Sequence, residues 1–149
     1  MKENTYTKKL LALMIIDDDI RITNLIERAI RKSGVSFHSV NDPMLIKSAL
    51  AKFDPEIIFL DLCMEGYSEG GILHYLASLD CDSKIYLISG LGRSAVEVCQ
   101  AEGVRLNLNI VGALTKPFTQ DDLDYALNSR LPGADKLTPN LPEHRPEIF

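Results

Sequence analysis

The chain has 149 residues, of which 16 are Lys or Arg and 21 are Asp or Glu, so its formal net charge at pH 7 is −5. This length fits one domain and argues against two, and a hydrophobic content of 46% with 25% charged residues is typical of a globular protein. The acidic balance provides no basic surface for nucleic acid, and no apolar run approaches the roughly 18 residues of a membrane span. We therefore expect neither direct nucleic-acid binding nor membrane insertion.

The cysteines indicate an intracellular protein with reduced thiols. There are three of them, an odd number without a C-x-x-C pair, and the histidines do not stand near them at zinc-ligand spacing. The amino-terminal residues are polar, and the apolar run that follows is too short for a signal peptide. We predict a cytoplasmic location.

Five short apolar runs alternate with segments of helical periodicity, a pattern typical of a parallel β-sheet with crossover helices. The predicted strands are residues 10–16, 35–40, 56–60, 84–89 and 109–114. Four of these runs are nearly continuous in Leu, Ile, Val and Phe, which indicates strands covered on both faces. The second run has polar residues at alternate positions, and we predict that it lies at an edge of the sheet.

Apolar residues at three- and four-residue spacing predict five helices between and after these strands. The stripes are Ile22, Leu25, Ile26, Ala29 and Ile30; Leu45, Ile46, Ala49, Leu50 and Phe53; Ile72, Leu73, Leu76 and Leu79; a weaker one over residues 95–101; and Leu123, Ala126 and Leu127. Asp42 before Pro43 predicts the start of the second helix, and Thr119 with Asp122 predicts a capping box at the fifth.

The composition changes near residue 130. Four of the seven prolines fall in residues 131–149, where apolar periodicity is weak. We predict an N-terminal segment over residues 1–9, one domain over residues 10–130 and a Pro-rich tail over residues 131–149. The tail is either a plain C-terminus or a linker to a further domain.

Polar residues follow four of the predicted strands. Asp17, Asp18 and Asp19 follow the first strand, Asp61 follows the third, Ser89 ends the fourth, and Lys116 follows the fifth. The carboxyl ends of parallel strands share one edge of the sheet, where ligands bind in open α/β folds. These residues therefore predict a single site.

The chemistry of these residues indicates a magnesium site that handles a phosphoryl group. Asp17, Asp18 and Asp61 would repel one another unless a cation lay among them, and Mg²⁺ prefers such oxygen ligands. Lys116 and Ser89 could then neutralise and hydrogen-bond a phosphoryl group that transfers to a carboxylate. These residues also have ordinary explanations. Asp17 or Asp18 alone could cap a helix, and an isolated lysine is usually a surface residue. Asp19 fits a helix cap better than a ligand.

A second motif, G-x-G-x-x-A over residues 90–95, matches a dinucleotide-binding fingerprint. That fingerprint belongs to the first strand-to-helix turn, and an acidic residue should follow about 20 positions later. Here Leu114, Thr115 and Lys116 occupy that region, so we do not assign nucleotide binding.

Taken together, these motifs resemble the receiver domain of two-component response regulators over roughly residues 10–130. The resemblance is carried by IIDDD at residues 15–19, IFLDLCM at residues 58–64, LISG at residues 87–90 and LTKPF at residues 114–118. Each motif is weak alone, but the four in this order and spacing are specific.

The resemblance implies a flavodoxin-like, doubly wound α/β fold with a five-stranded parallel sheet in the order 2-1-3-4-5. It implies that Asp61 accepts a phosphoryl group from a histidine kinase or phosphotransfer protein, and that Asp17, Asp18, Asp61 and the backbone carbonyl of Cys63 hold Mg²⁺. Ser89 and Lys116 would bind the phosphoryl group, and the peptide bond between Lys116 and Pro117 would be cis. Such a domain is a signalling switch that catalyses only its own phosphorylation and dephosphorylation.

Three features depart from the family pattern. Glu65 stands where the family usually has proline, in a loop that looks one residue longer, and Ala113 replaces the usual switch aromatic. The stretch from Ser89 to Lys116 is also long. In that feature and in residues 112–118 the chain looks similar to receivers joined to EAL-type cyclic di-GMP phosphodiesterase domains, which suggests such an output partner. A homodimer is a further possible assembly.

Two other functions remain open. The first is a pseudo-receiver that binds a partner protein independently of phosphate, which the replacement at Ala113 favours and the intact acidic set opposes. The second is an aspartyl-phosphate hydrolase of small esters, which shares the nucleophile and metal chemistry. That class needs a second carboxylate two residues after the nucleophile, where this chain has Cys63.

Overall fold

The computed structural model of the protein describes residues 12–31, 34–68 and 70–130. Its centre is a five-stranded parallel sheet in the order β2-β1-β3-β4-β5. The strands are β1 (Ala12–Ile16), β2 (Ser36–Val40), β3 (Ile57–Asp61), β4 (Lys84–Ser89) and β5 (Asn109–Thr115). The predicted sheet order is confirmed, and β2 lies at an edge as its alternating polar residues indicated.

Within the described ranges, five α-helices connect or follow the strands. They are α1 (Ile20–Ile30), α2 (Ile46–Phe53), α3 (Gly71–Ser78), α4 (Arg93–Arg105) and α5 (Gln120–Arg130). Strand residues alternate between two apolar clusters because successive side chains of a strand point to opposite faces. Ile57 and Phe59 belong to the cluster beneath α1 and α5, whereas Ile58 and Leu60 belong to the cluster beneath α2, α3 and α4. Helices therefore cover both faces of the sheet, as in a doubly wound fold.

The predicted boundaries differ from the structure at several ends. β3 runs to Asp61 and β5 to Thr115, so each includes one polar residue that the apolar pattern places after the strand. Asp42 caps a short 3-10 turn (Pro43–Leu45) that precedes α2, where it accepts the N–H of Met44. The predicted segments 1–9 and 131–149, and residues 10 and 11 of the first predicted strand, lie outside the described residues.

The start of α5 is the predicted capping box. The backbone N–H of Thr119 donates to Oδ2 of Asp122 at 3.0 Å, and the backbone N–H of Asp122 donates to Oγ1 of Thr119 at 3.1 Å. Two backbone donors of the first turn are thereby satisfied reciprocally. This contact fixes the beginning of α5 directly after the segment that carries Lys116.

Helix α4 extends beyond the weak stripe that predicted residues 95–101. Its last turn contains the ion pair between Arg105 Nε and Glu102 Oε1, at 3.0 Å, and a cation at a helix C-terminus is favourable. Gly103 in the same turn is buried and lies against Ile110 of β5. The apolar stripe misses this last turn because a glycine, rather than a large apolar residue, lies against the sheet there.

No helix among residues 12–31, 34–68 and 70–130 is long and apolar enough to cross a bilayer. Cys63, Cys81 and Cys99 are thiols in the structure.

Replacing Gly103 by alanine is expected to destabilise the protein. The new Cβ would lie 2.7 Å from Cγ1 and 2.8 Å from Cδ1 of Ile110. Overpacking of this kind costs about 1–3 kcal/mol, against the roughly 1 kcal/mol that alanine gains over glycine in a helix, so we expect a net loss of up to about 2 kcal/mol. Urea unfolding measures the change. In an Ile110→Ala background, which removes both contacted atoms, Gly103→Ala should instead be stabilising. An equal loss of stability in both backgrounds would show that contact with Ile110 is not the cause.

Candidate functional site

Three carboxylates meet at the carboxyl ends of β1 and β3. The two strands are adjacent, and Ile16 pairs with Leu60, so Asp17 and Asp18 directly after β1 come beside Asp61 at the end of β3. One oxygen from each of the three carboxylates lies within 4.8 Å of the others. Asp17 and Asp61 are buried, whereas Asp18 is exposed. The cluster is therefore open to solvent on the side of Asp18.

Lys116 brings a positive charge to the same cluster. It directly follows β5, and its Nζ lies 3.4 Å from Oδ2 of Asp17 and 3.7 Å from Oδ1 of Asp61. Its backbone N–H donates to the carbonyl of Ser89 at 2.6 Å, and its peptide bond to Pro117 is cis, as the resemblance implied. The ammonium group therefore reaches past β4, which lies between β3 and β5.

Ser89 ends β4 at the same edge of the sheet. Its side chain is fully buried, and its hydroxyl oxygen accepts the backbone N–H of Leu91 at 2.9 Å. This bond holds the hydroxyl group at the turn between β4 and α4. Asp61 pairs with Ile88, the residue before Ser89, so the serine lies one position further along the edge.

Each carboxylate of the cluster accepts a backbone N–H. Asp17 Oδ1 accepts the N–H of Asp19 at 2.8 Å, and Asp61 Oδ1 accepts the N–H of Cys63 at 3.0 Å. Asp18 Oδ2 accepts the N–H of Glu65 at 3.1 Å. These bonds orient the three side chains and partly offset their negative charge. The residue pattern did not predict the contribution of Glu65, because main-chain donors leave no signature in the side-chain sequence.

Burial raises the pKa of Asp17 to about 7 from its ordinary value of 3.8. The negative charge of Asp61 acts in the same direction, whereas the N–H of Asp19 and the ammonium group of Lys116 act against the shift. Asp17 Oδ2 is also buried without a hydrogen-bond donor. A buried carboxylate oxygen beside two other carboxylates suits a divalent cation, and oxygen ligands are those that Mg²⁺ prefers. The residues present therefore fit the metal that the sequence predicted.

Asp19 has the structural role that we expected. Its side chain accepts the backbone N–H of Arg21 at 3.0 Å and caps α1. The Arg21 guanidinium group also pairs with it and holds the pKa of this carboxyl group below its ordinary value. The carboxylate of Asp19 therefore lies outside the acidic cluster, although the backbone N–H of the same residue bonds to Asp17.

Comparison with known proteins agrees with this geometry. The family model of the response regulator receiver domain matches residues 13–128. Transcription factor SKN7 of Saccharomyces cerevisiae is 24% identical over 145 residues, which cover 93% of this chain and 22% of SKN7. The probable transcriptional regulator ycf27 of Porphyra purpurea is 26% identical over 132 residues, which cover 87% of this chain and 51% of ycf27. The chain thus spans about a fifth of the length of SKN7 and about half of the length of ycf27.

Solved structures share the fold. A response regulator from Colwellia psychrerythraea superposes with a TM-score of 0.70 at 24% identity, over 86% of this chain and 99% of that one. A CheY-like receiver domain protein from Methanospirillum hungatei superposes with a TM-score of 0.68 at 15% identity, over 87% of this chain and 99% of that one.

The stability of the cation-free protein is expected to depend on pH through Asp17. Because its pKa is about 7 in the folded chain against 3.8 ordinarily, the folded state binds the proton more tightly than the unfolded state. The resulting stabilisation is complete below about pH 4 and is lost as the pH rises through about 7. Chemical unfolding in the presence of a chelator should show the free energy of unfolding falling over this range. Asp17→Asn cannot ionise and should have a shallower slope, so identical slopes would refute this explanation.

Proposed function

The chain belongs to the response regulator receiver domain family, and on that premise we propose that Asp61 accepts a phosphoryl group from a histidine kinase or phosphotransfer protein in a Mg²⁺-dependent reaction. The observation that carries this proposal is the meeting of three carboxylates and the ammonium group of Lys116 at one edge of the sheet. An isolated capping aspartate or surface lysine does not account for that meeting.

In the proposed transfer, a carboxylate oxygen of Asp61 forms a bond to phosphorus as the bond from phosphorus to the donor's imidazole nitrogen breaks. The electron pair of the broken bond stays on that nitrogen. Lys116 Nζ lies 3.7 Å from Asp61 Oδ1, close enough to offset charge on the phosphoryl oxygens. The Ser89 hydroxyl group, one position beyond the partner of Asp61, donates a hydrogen bond to the group that is transferred.

Asp17, Asp18, Asp61 and the backbone carbonyl of Cys63 would hold Mg²⁺ in this site. When bound, the cation supplies positive charge to the carboxylates and to the phosphoryl oxygens. The buried oxygen of Asp17 without a hydrogen-bond donor supports this assignment. Cys63 is exposed, and its N–H orients Asp61, so its thiol is not needed for the reaction.

The protein is a signalling domain rather than a classical enzyme. In our proposal it catalyses its own phosphorylation, and also its own dephosphorylation, in which water attacks phosphorus and the carboxylate of Asp61 is restored. The absence of a carboxylate at Cys63 opposes turnover of small phosphate esters. The intact acidic cluster likewise argues against a phosphate-independent binding module. Because Ala113 replaces the switch aromatic, phosphorylation must change the output surface without movement of a ring at this position.

The output surface that we propose consists of α4, β5 and α5. Ala113 is fully buried in β5 opposite Leu87 of β4, so no ring at this position can swing towards Ser89. The exposed apolar side chains of Val98 and Val104 lie on α4. Phosphorylation of Asp61 would act on this surface through Lys116 and the end of β5. The same surface is a candidate for homodimer formation.

We divide the chain into an N-terminal segment (1–9), the receiver domain (10–130) and a Pro-rich tail or linker (131–149), and we place it in the cytoplasm. Two outputs are compatible with this division. The residues at 112–118 and the long stretch before Lys116 support an EAL-type phosphodiesterase partner. The names of the curated relatives instead support a transcriptional output.

Incubation with acetyl phosphate and Mg²⁺ is expected to add one phosphoryl group to the protein, as measured by intact-mass spectrometry. Asp61→Asn should abolish the addition because it removes the nucleophilic carboxylate, and a chelator should abolish it because it removes the cation. Asp19→Asn is the matched control, since asparagine also caps helices well and Asp19 lies outside the cluster. This control should be phosphorylated like the wild type.

Two results would contradict the proposed function. One is the absence of added mass with acetyl phosphate and with other small phosphoryl donors. The other is a partner protein that binds the wild type and Asp61→Asn equally, with or without a donor, which would establish a phosphate-independent module.

A further inference from the structure

The contact between Glu65 and Asp18 joins two loops that are distant in sequence. Glu65 lies between β3 and α3, 47 residues after Asp18, and its backbone N–H donates to Asp18 Oδ2 at 3.1 Å. The corresponding donors to Asp17 and Asp61 are the N–H groups of Asp19 and Cys63, each only two residues further along the same loop. The Glu65 bond therefore links the loop after β1 to the loop after β3.

Asp18 depends on this bond more than its neighbours depend on theirs. Asp17 and Asp61 are buried, and both lie within 4.0 Å of Lys116 Nζ. Asp18 is exposed, so packing restricts its side chain less. One carboxylate oxygen on a main-chain donor leaves the other oxygen able to ligate a cation, and hydrogen bonds of this kind orient metal ligands.

We infer that Glu65, through its main-chain N–H, is a positioning residue that holds Asp18 ready to ligate a divalent cation. This inference rests on the cation site of the proposed function. That site is supported independently by the buried Oδ2 of Asp17, which has no hydrogen-bond donor and whose nearest positive charge is Lys116 Nζ at 3.4 Å. The side chain of Glu65 has no part in it, because every residue except proline carries the same donor. The loop after β3 and the cation site are thereby coupled.

The test compares Glu65→Pro with Glu65→Gln. Both variants remove the same negative charge, but only proline also removes the N–H. Isothermal titration calorimetry with Mg²⁺ should give roughly tenfold weaker binding for Glu65→Pro than for Glu65→Gln, as is typical when a metal ligand loses its orienting partner. Equal affinity in the two variants would overturn the inference.

Amide hydrogen exchange provides a second readout that does not depend on a proline in the loop. In the cation-free wild type, the amide of Glu65 should exchange slowly because it is bonded to Asp18. In Asp18→Ala its exchange should accelerate about tenfold or more, whereas the amide of Cys63, bonded to Asp61, should keep its rate. An unchanged rate at Glu65 would also overturn the inference.

These outcomes separate the inference from the proposed function. A protein whose Mg²⁺ affinity falls in Glu65→Pro but which accepts no phosphoryl group at Asp61 would refute the proposed function and support the inference. Phosphorylation of the wild type in the presence of Mg²⁺, together with equal Mg²⁺ affinities of Glu65→Pro and Glu65→Gln, would support the proposed function and refute the inference. A wild type that binds neither Mg²⁺ nor Mn²⁺ would refute both.

Discussion

Mutual repulsion among Asp17, Asp18 and Asp61 is the interaction on which the rest of the site depends. Their oxygens lie within 4.8 Å of one another, and two of the three side chains are buried. Such an arrangement is costly unless positive charge and oriented donors surround it. Lys116 and three backbone N–H groups supply part of this compensation. The remaining negative charge suits the cluster to a divalent cation, which is the basis of the proposed function.

The parallel sheet makes this concentration of charge possible. Each strand ends at the same edge, so residues far apart in sequence become neighbours without any long loop. The apolar strands and the helices on both faces exclude water beneath the cluster, which strengthens every electrostatic contact within it. The fold therefore contributes both the geometry of the site and the low polarity that raises the pKa of Asp17.

Most of the fold and much of the site were predictable, because both depend on the type and spacing of side chains. The continuous apolar runs of β1 and β3 mark strands that are buried on both faces, and the reciprocal bonds of Thr119 and Asp122 confirm the capping box. The length of α4 was not predictable from periodicity, since Gly103 contacts the sheet through the absence of a side chain. The bond from Glu65 was equally hidden, because its donor belongs to the main chain.

The close approach of α4 to β5 at Gly103 has a mechanical consequence. Because Gly103 has no side chain, the backbone of the helix packs directly against Ile110 of the strand at this point. Lys116 follows the other end of the same strand and touches the acidic cluster. The contact at Gly103 therefore joins α4, with its exposed Val98 and Val104, to the start of the strand whose other end leads to the acidic cluster.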